Sequence, residues 1–319
     1  MSNQNGVTSN VKLDDLITVI ISTKNRWPDL HKALLSLRNQ SLKHQVLVLD
    51  DHSDDGTYEN VKQLFPEVTL YTYTESAGYI VRRNEAVKLA QTPYVLSIDD
   101  DCALENPNIL CQIAQFCIST DCAAVAWPYI DITLSPAVRD ISPGDGLWQS
   151  HTFKGCSFVV KREIFLKIGG FRTSFFHQGE EEDYCIRLLE QGYPVFLGKG
   201  NAIHHYESPK RSWERMDFYG SRNLMLFAIF NVPLIYLPAQ LVGSAIKSFL
   251  YGFKIRRPYH KSRGVLYGFL DGFKLAMKER KPVSTKTYLK YRELKKQYQP
   301  YAKGILFLSC SISINSLLS

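Results

Sequence analysis

The feature that most constrains the fold is an alternation of short apolar runs with longer amphipathic segments across residues 16–127. The apolar runs are rich in β-branched residues, which is typical of strands buried on both faces. The predicted strands are 16–21, 45–49, 68–73, 94–98 and 123–127. The first predicted helix begins at Pro28. Three further helices are predicted at 57–65, 77–90 and 107–119. Strands and helices in this order predict an α/β fold, with a mainly parallel sheet flanked by helices on both faces.

After Pro128 the pattern changes. Residues 128–152 contain several prolines and glycines, so we predict a long loop there. A strand at 156–160, a helix at 162–168, a helix through Leu188 and Leu189 and a strand at 195–197 follow, and from Trp213 the chain reads as helical. The expected layout is a disordered lead (1–15), an α/β domain (16–212) with halves 16–127 and 128–212, a helical extension (213–303) and an apolar tail (304–319) without an assigned role.

The composition excludes some classes of protein. The formal net charge is only +7, from 38 basic and 31 acidic residues, and the first two hundred residues contain no basic stripe interleaved with aromatics. We therefore expect no nucleic-acid partner. Seven cysteines without a C-x-x-C pair argue against a zinc finger and for reduced thiols in a cytosolic protein.

Two of the predicted strands are followed directly by carboxylates. In an open parallel sheet, ligands bind beyond the carboxyl ends of the strands, so these acids are expected at the binding edge. Four acids lie within residues 50–55, and Asp54 or Thr57 in this segment could also cap the next helix. Asp99–Asp101 follows the strand 94–98 directly. In an extended backbone Asp99 and Asp101 share one face, which suits Mg²⁺ or Mn²⁺ held jointly with substrate phosphates. The alternative is a plain acidic turn.

A third acidic cluster, Glu180–Asp183, precedes a helix. Acids at this position complement the helix dipole, but four in succession exceed what the dipole requires, so a general base among them is expected. The pair His204-His205 follows the strand 195–197 and offers either core histidines or a metal ligand.

Together these segments resemble family 2 of the inverting glycosyltransferases, which have the GT-A fold. The resemblance covers roughly residues 16–230 and includes the bacterial relatives that assemble polysaccharides. The segments that carry it are Thr18–Arg26, Leu49–Thr57, Gly78 with Arg82-Arg83-Asn84, Asp99–Asp101, Gly155, Gly169-Gly170-Phe171, Glu180–Leu188, His205–Pro209 and Arg222-Asn223. The first four of these segments, together with the stretch from Gly155 to Leu188, make five motifs in the expected order, and this makes the signal specific.

The resemblance implies a donor site and a metal site. Side chains expected to bind the nucleotide sugar are Ser22, Lys24, Arg26, Asp50, Asp51, Arg83, Asp99 and Asp100. A divalent cation, Mn²⁺ or Mg²⁺, is expected at Asp99 and Asp101, with His205 as a third ligand and His204 as its rival. The cation would neutralise the charge on the departing diphosphate.

The resemblance also implies a base that takes the proton of the acceptor hydroxyl. Alignment favours Glu181, with Glu180 before it, and the alternative register makes Asp183 the base. Gly155 and Cys156 are expected beneath the acceptor. Trp148 could stack on a sugar ring or pack within its loop.

The C-terminal third contains an uncharged stretch, 224–246, that is interrupted by Pro233, Pro238 and Gly243. We expect helices that pack on the catalytic domain or lie in a membrane interface, rather than a spanning helix. The basic residues that follow favour peripheral contact with an anionic surface. The expected location is the cytoplasm, at the inner face of the cell membrane, with a glycan or lipid-linked glycan as acceptor.

Two other functions remain open from the sequence. A non-catalytic relative would bind nucleotide or glycan without turnover. A sugar-phosphate nucleotidyltransferase would need a glycine-rich phosphate loop after the first strand, and Ser22–Trp27 contains no glycine. The main hypothesis is a metal-dependent hexosyltransferase that acts in the synthesis of cell-surface polysaccharide or glycolipid.

Overall fold

The computed structural model describes residues 15–207 and 212–301. Its strands are β1 (Ile17–Thr23), β2 (Gln45–Asp50), β3 (Thr69–Thr72), β4 (Tyr94–Asp99), β5 (Cys102–Ala103), β6 (Ala124–Ala126), β7 (Tyr129–Asp131), β8 (Trp148–Ser150), β9 (Ser157–Lys161), β10 (Val195–Leu197), β11 (Ile203–His205) and β12 (Gln299–Pro300). Its helices are α1 (Trp27–Arg38), α2 (Thr57–Leu64), α3 (Tyr79–Leu89), α4 (Ile109–Thr120), α5 (Arg162–Ile168), α6 (Glu180–Glu190), α7 (Trp213–Asn231), α8 (Leu237–Lys254), α9 (Pro258–Glu279) and α10 (Thr285–Lys296).

Nine strands form the main sheet, in the order β12-β8-β10-β6-β9-β4-β1-β2-β3. Strands β3, β2, β1 and β4 are mutually parallel, whereas β9 runs antiparallel to both of its neighbours and β8 runs antiparallel to β10 and β12. The predicted mainly parallel sheet is confirmed. Thr23 is level with Asp50, and Ser22 is level with Asp99. The polar ends of β1, β2 and β4 therefore meet at one edge.

Both faces of the sheet are buried, as the apolar runs predicted. Along β1, Val19 and Ile21 belong to the core formed with α1, α2 and α4, while Ile20 belongs to the core formed with α3, α5, α6, α7 and α10. Successive side chains of a strand point to opposite faces, so a continuous apolar run supplies both cores.

A second sheet of three short strands, β5-β11-β7, corrects the expectation of one long loop at 128–152. Strand β11 pairs antiparallel with β5 and parallel with β7, so that His205 is level with both Cys102 and Asp131. Strand β8 also lies within the expected loop. Strands of two or three residues that pair with distant segments leave no periodic pattern in the sequence.

The C-terminal helices join the same core as the sheet. Met225, Leu226 and Phe230 of α7 are fully buried in the core on the α3 face of the sheet. Helix α9 packs against α7 through Gly264, Gly268 and Gly272, where an added Cβ would lie 2.2 to 2.6 Å from α7 atoms. Glycine at every fourth position lets the two backbones approach closely.

The uncharged stretch 224–246 is divided between two helices, because α7 ends at Asn231 and α8 begins at Leu237. Within the described ranges, no helix combines the length and apolar character that crossing a bilayer requires. The predicted lead up to residue 14, residues 208–211 and the predicted tail 304–319 lie outside the described residues.

Candidate active site at the carboxyl edge of the sheet

The loops after β1 and β2 are tied together by a pair of reciprocal hydrogen bonds. The backbone N–H of Asn25 donates to Ser53 Oγ over 2.8 Å, and the N–H of Asp54 donates to Asn25 Oδ1 over 2.8 Å. Asn25 and His52 both adopt positive φ, which gives these two turns their sharp shape. These two loops form a rim at the carboxyl ends of β1 and β2.

Asp50 and Asp51 have different roles in this rim. Asp51 is buried and accepts from the N–H groups of Ala77 and Gly78 and from Arg82 Nε at 2.7 to 2.9 Å, so it fixes the start of α3. Its contact with the donor stays a prediction. Asp50 accepts only from Ser53, at Oδ1, among the residues described. Its second oxygen remains available to a ligand.

The three aspartates after β4 diverge instead of sharing a face. The strand ends at Asp99, and Asp100 and Asp101 lie in a turn, so the extended geometry assumed for Asp99 and Asp101 is wrong. Asp99 pairs with Arg83. Asp100 and Asp101 both bind the guanidinium of Arg26, at 2.7 and 2.8 Å.

His205 lies between two buried carboxylates. Its Nε2 is 3.3 Å from Asp101 Oδ1, and its Nδ1 is 2.7 Å from Asp131 Oδ1. His204 points to the opposite face of the small sheet, where it lines a surface cavity of about 320 Å³ with Glu105 and Ile130. Of the two rival histidines, His205 is the one that the structure brings to the aspartates.

These neighbours change the protonation of the cluster. Burial raises the pKa of Asp100 to about 7, although Arg26 acts in the opposite direction. Burial also disfavours the charged form of His205, but the hydrogen bond to Asp101 and the surrounding negative charge raise its pKa to about 10. Arg26 and a protonated His205 thus balance the carboxylates when no other cation is bound.

The residues around Asp101 fit a divalent cation. Ligand atoms of Asp101, Cys102 and His205 lie within 4.8 Å of one another, as do those of Asp131, His205 and Glu207. Burial raises the pKa of the Cys102 thiol well above its usual range, and sulfur is a soft ligand that Mn²⁺ and Mg²⁺ do not favour. A carboxylate and an imidazole remain, which suit Mn²⁺ or Mg²⁺ shared with phosphate oxygens.

The four acids in the first turn of α6, Glu180–Asp183, have different contacts. Glu180 is fully buried and accepts from Arg83 Nη1 at 3.2 Å, and Tyr79 also donates to it. Glu182 accepts from Tyr291 and Lys295. Glu181 is half-buried, and no described residue donates a hydrogen bond to it. Of the four, Glu181 alone is free to accept a proton from a ligand.

Asp183 ties residues 128–212 to the C-terminal helices. Arg172 and Asn231 donate to its Oδ1 at 2.5 and 2.8 Å, and Arg187 donates to its Oδ2 at 3.0 Å. Its side chain is fully buried. A carboxylate enclosed in this way cannot reach an acceptor hydroxyl, so the geometry disfavours the alternative register that made Asp183 the base.

Gly155 keeps the space in front of Glu181 open. A Cβ at this position would lie 2.8 Å from Glu181 Oε1 and 2.9 Å from Arg83 Nη1. The carbonyl of Gly155 also accepts from Arg83 Nη2 at 3.2 Å. Arg83 therefore links Asp99, Glu180 and Gly155, and it joins the aspartate turn to the acidic helix.

The remaining predicted residues differ in their surroundings. Trp148 begins β8, donates its indole N–H to the carbonyl of Asp145 and packs against the core on the α3 face of the sheet. Cys156 is buried in the core on the α1 face. Lys24 is exposed, and Ser22 Oγ is buried without a hydrogen-bond partner among the described residues.

The sequence analysis missed Asp131, which lies in the expected loop and would have been found only by recognising β7. It also left Arg222-Asn223 without a role. The Asn223 amide donates to the carbonyls of Phe175, His177 and Gln178 at 2.6 to 2.9 Å, and Arg222 donates to that of Ser174. This pair fixes the segment that leads into α6.

Solved structures with similar architecture define the class of fold. A mannosyltransferase of Pyrobaculum calidifontis, PcManGT, solved with GDP-Man and Mn²⁺, superposes with a TM-score of 0.55 at 18% identity, covering 89% of this chain and 84% of that one. Residues 1-349 of Staphylococcus aureus TarS, solved with UDP-GlcNAc, give 0.61 at 16% identity, with 88% of each chain covered. The fold is GT-A, with additional C-terminal helices.

Residues 18–177 match glycosyl transferase family 2, and the chain belongs to that family. An uncharacterized glycosyltransferase of Haemophilus influenzae is 24% identical over 55% of this chain, and pre-mycofactocin glycosyltransferase of Mycobacterium tuberculosis is 24% identical over 64%. The matched segments span 63% and 46% of those two relatives. N-acetylglucosaminyl-diphospho-decaprenol L-rhamnosyltransferase of M. tuberculosis is 24% identical over 60% of this chain and 77% of its own length.

Proposed function

We propose that the protein transfers a sugar from a nucleoside-diphosphate sugar to an acceptor hydroxyl, with inversion at the anomeric carbon. One observation carries the proposal: in the first turn of α6, Glu181 is the carboxylate to which no described residue donates a hydrogen bond, and it stands next to the Arg83 contacts that lead to the aspartate turn. The contacts of Arg83 thus connect the proposed proton acceptor to the turn proposed to bind the metal.

The donor would lie along the rim formed by β1, β2 and β4. Asp50 Oδ2 has no described hydrogen-bond partner and would contact the nucleoside. Ser22, whose Oγ is buried, is proposed here from the sequence resemblance alone. Lys24 is exposed on the first loop and would approach the phosphates, together with Arg26. A ligand that binds Asp100 and Asp101 through a cation would release Arg26 for this role.

Asp101 and His205 would hold a divalent cation, Mn²⁺ or Mg²⁺, with Asp99 directed towards the sugar. When bound, the cation would stabilise the negative charge that develops on the leaving diphosphate. Asp131 would keep His205 oriented through its hydrogen bond to Nδ1. Two observations support a cation at this place. Asp101 and His205 form a buried carboxylate–imidazole pair, and PcManGT, which has a similar fold, was solved with Mn²⁺.

In the reaction, the acceptor oxygen attacks the anomeric carbon on the face opposite the diphosphate. The bond between that carbon and the phosphate oxygen breaks, and the nucleoside diphosphate leaves with the electron pair. The proton of the hydroxyl passes to Glu181, because no described residue donates a hydrogen bond to its carboxylate. Gly155 leaves room for the acceptor in front of Glu181.

The acceptor would be a glycan or a lipid-linked glycan, in the synthesis of cell-surface polysaccharide or glycolipid. Two relatives support this class by name: the decaprenol rhamnosyltransferase already cited and glucosyl-dolichyl phosphate glucuronosyltransferase of Haloferax volcanii, which is 22% identical over 59% of this chain. A site near the inner face of the cell membrane would give access to such acceptors.

A donor screen tests the function. Purified protein with Mn²⁺ and an extracted lipid acceptor is incubated with UDP-, GDP- and dTDP-sugars, and released nucleoside diphosphate is measured. We expect release from at least one donor and a loss of about 10²- to 10⁴-fold in Glu181→Gln, with donor binding retained. Glu182→Gln is the matched control, since Glu182 binds α10 and should retain turnover.

Each competing function has its own outcome in this screen. Donor binding without release from any donor would favour a non-catalytic binding protein. Formation of pyrophosphate from a nucleoside triphosphate and a sugar phosphate would favour a nucleotidyltransferase. Full activity in Glu181→Gln would show that another group is the base.

A further inference from the structure

Helices α8 and α9 expose a broad apolar surface that the site does not use. We call this surface the α8–α9 face. It consists of Val242, Ile246, Phe249, Leu250 and Phe253 on α8, and Leu266, Leu270, Phe273 and Met277 on α9. Each of these side chains is at least 47% exposed. Single exposed apolar residues are ordinary on a protein surface, but a contiguous set on two adjacent helices indicates a binding surface.

The face results from the way the two helices pack. Helix α8 buries Leu241, Ser244, Ser248 and Gly252, and α9 buries Gly264, Gly268 and Gly272. The buried positions recur every three or four residues, so the apolar positions between them lie on the opposite side of each helix. Both helices contact Ser221 of α7: Ser248 donates to its Oγ, and a Cβ at Gly264 would lie 2.9 Å from its Cβ. The two apolar stripes therefore both face away from α7.

The same part of the chain holds the positive charge of the protein. Residues 234–281 contain ten Lys and Arg but only two acids, whereas the rest of the chain has 28 basic and 29 acidic residues. Seven of the ten are exposed, namely Lys247, Lys254, Arg256, Arg263, Lys274, Lys278 and Lys281. Lys247 and Lys254 lie two turns apart on one edge of α8, and Lys274 and Lys278 lie one turn apart on one edge of α9.

An apolar stripe edged by lysines matches the interface of an anionic bilayer. Apolar side chains enter the boundary between headgroups and acyl chains, while the lysine stems reach back to the phosphates. Tyr251, Tyr259 and Tyr267 are exposed on the same two helices, and tyrosine favours this depth. Neither helix is a spanning helix, so the geometry allows the protein to lie on the membrane surface rather than cross it.

We propose that the α8–α9 face docks on the surface of an anionic lipid bilayer. The charge decides between a bilayer and the other occupants. A second copy of this chain would bring the exposed lysines of both faces together, which is unfavourable. The apolar tail from residue 302 carries one charged residue, Lys303, and no acid to pair with the lysines. A bilayer with anionic headgroups satisfies both the apolar stripe and the charge.

Vesicle sedimentation of the purified full-length protein tests the proposal. We expect the protein to partition onto vesicles of phosphatidylcholine and phosphatidylglycerol, and much less onto phosphatidylcholine alone. Replacing Lys247 and Lys254 by Gln should weaken partition onto the anionic vesicles by about thirtyfold. Lys43→Gln with Lys62→Gln, two exposed lysines on the first half of the chain, is the matched control and should leave it unchanged.

A second pair of variants tests the apolar part. Leu250→Asp with Leu270→Asp should reduce partition by about a hundredfold. Leu35→Asp with Leu64→Asp makes the same change at exposed leucines of α1 and α2 and should bind as the parent does. Circular dichroism of each variant establishes that it is folded, which is expected because all four leucines are at least 40% exposed.

Three results would overturn the proposal. The first is equal partition of the two leucine double variants. The second is a dimer in light scattering that dissociates in Leu250→Asp with Leu270→Asp, with no vesicle binding by the parent. The third is vesicle binding that appears only after residues 302–319 are removed, which would show that the tail covers the face.

Discussion

The imidazole of His205 is held between two aspartates: its Nε2 lies 3.3 Å from Asp101 Oδ1, and its Nδ1 lies 2.7 Å from Asp131 Oδ1. The second contact fixes the ring so that Nε2 faces the aspartate turn. Asp131 is therefore a positioning residue for the proposed metal site, although it belongs to a strand of three residues that the sequence did not reveal.

Removing the Asp131 carboxylate should weaken binding of the cation. We expect Asp131→Ala to lower the affinity for Mn²⁺ by about 10- to 100-fold, because the ring of His205 loses its orientation. Mn²⁺ binding followed by electron paramagnetic resonance measures this without turnover. Asp131→Asn should recover part of the affinity, since its amide oxygen can still accept from Nδ1. His204→Ala is the control; equal losses in His204→Ala and Asp131→Ala would contradict the assignment of His205.

A methyl group at Gly155 should damage catalysis more than donor binding. The Cβ of Gly155→Ala would press on Glu181 and Arg83, at 2.8 and 2.9 Å, and would displace the proposed base. We expect kcat to fall by about a hundredfold, the cost of a misplacement of about 1 Å. Calorimetry should show nucleotide binding unchanged within a factor of a few.

Gly144→Ala is the control for this change, because the nearest atom to its Cβ would be 3.8 Å away. Unchanged kcat in Gly155→Ala would mean that Glu181 does not act from its present position.

Loss of the charge on Asp183 should destabilise the fold. Asp183→Asn leaves the guanidinium groups of Arg172 and Arg187 partly buried without their shared carboxylate. We expect the free energy of unfolding to fall by about 3–5 kcal/mol, measured by urea denaturation.

Asp121→Asn provides the comparison, since its pair with Lys161 is exposed and should change stability by less than about 1 kcal/mol. If Asp183→Asn keeps its stability but loses turnover, Asp183 becomes the base.

The contact between α7 and α9 depends on glycine. In Gly268→Ala the new Cβ would lie 2.6 Å from the carbonyl oxygen of Arg222, so the helices must separate. We expect a loss of about 1–3 kcal/mol in thermal or urea unfolding. Gly243→Ala, in α8 with no atom within 4 Å of the added Cβ, should instead stabilise by about 0.5–1 kcal/mol. Two equal effects would contradict the close packing.

The regular part of the fold could be predicted because its signals are local. Strand β1 was placed within two residues of both observed ends, and the predicted start of α1 at Pro28 lies one residue from the observed start. A run of β-branched residues and a helical spacing of leucines each persist over several positions. Strands β5, β7 and β11 were not predicted. They are two or three residues long, and their pairing is decided by distant segments.

The position of the site could be predicted from the sequence, but the contacts of its individual acids could not. Residues at the ends of β1, β2 and β4 converge because the strands are parallel, which follows from the sequence pattern. The sequence pattern does not show which of the neighbouring acids bind other residues and which remain available to a ligand. Asp51, Glu180 and Asp183 are bound by partners far away in the sequence, and only the folded chain shows that Asp50 and Glu181 remain available.

The central claim is that Asp101 and His205 hold a divalent cation through which the donor diphosphate binds. Calorimetric titration of UDP and GDP, with and without Mn²⁺, into the parent protein and into Asp101→Asn and His205→Ala tests it most directly. We predict that one nucleotide binds the parent at least tenfold more tightly with Mn²⁺ and that both variants lose this enhancement. Mn²⁺-enhanced binding of equal strength in all three proteins would contradict the account.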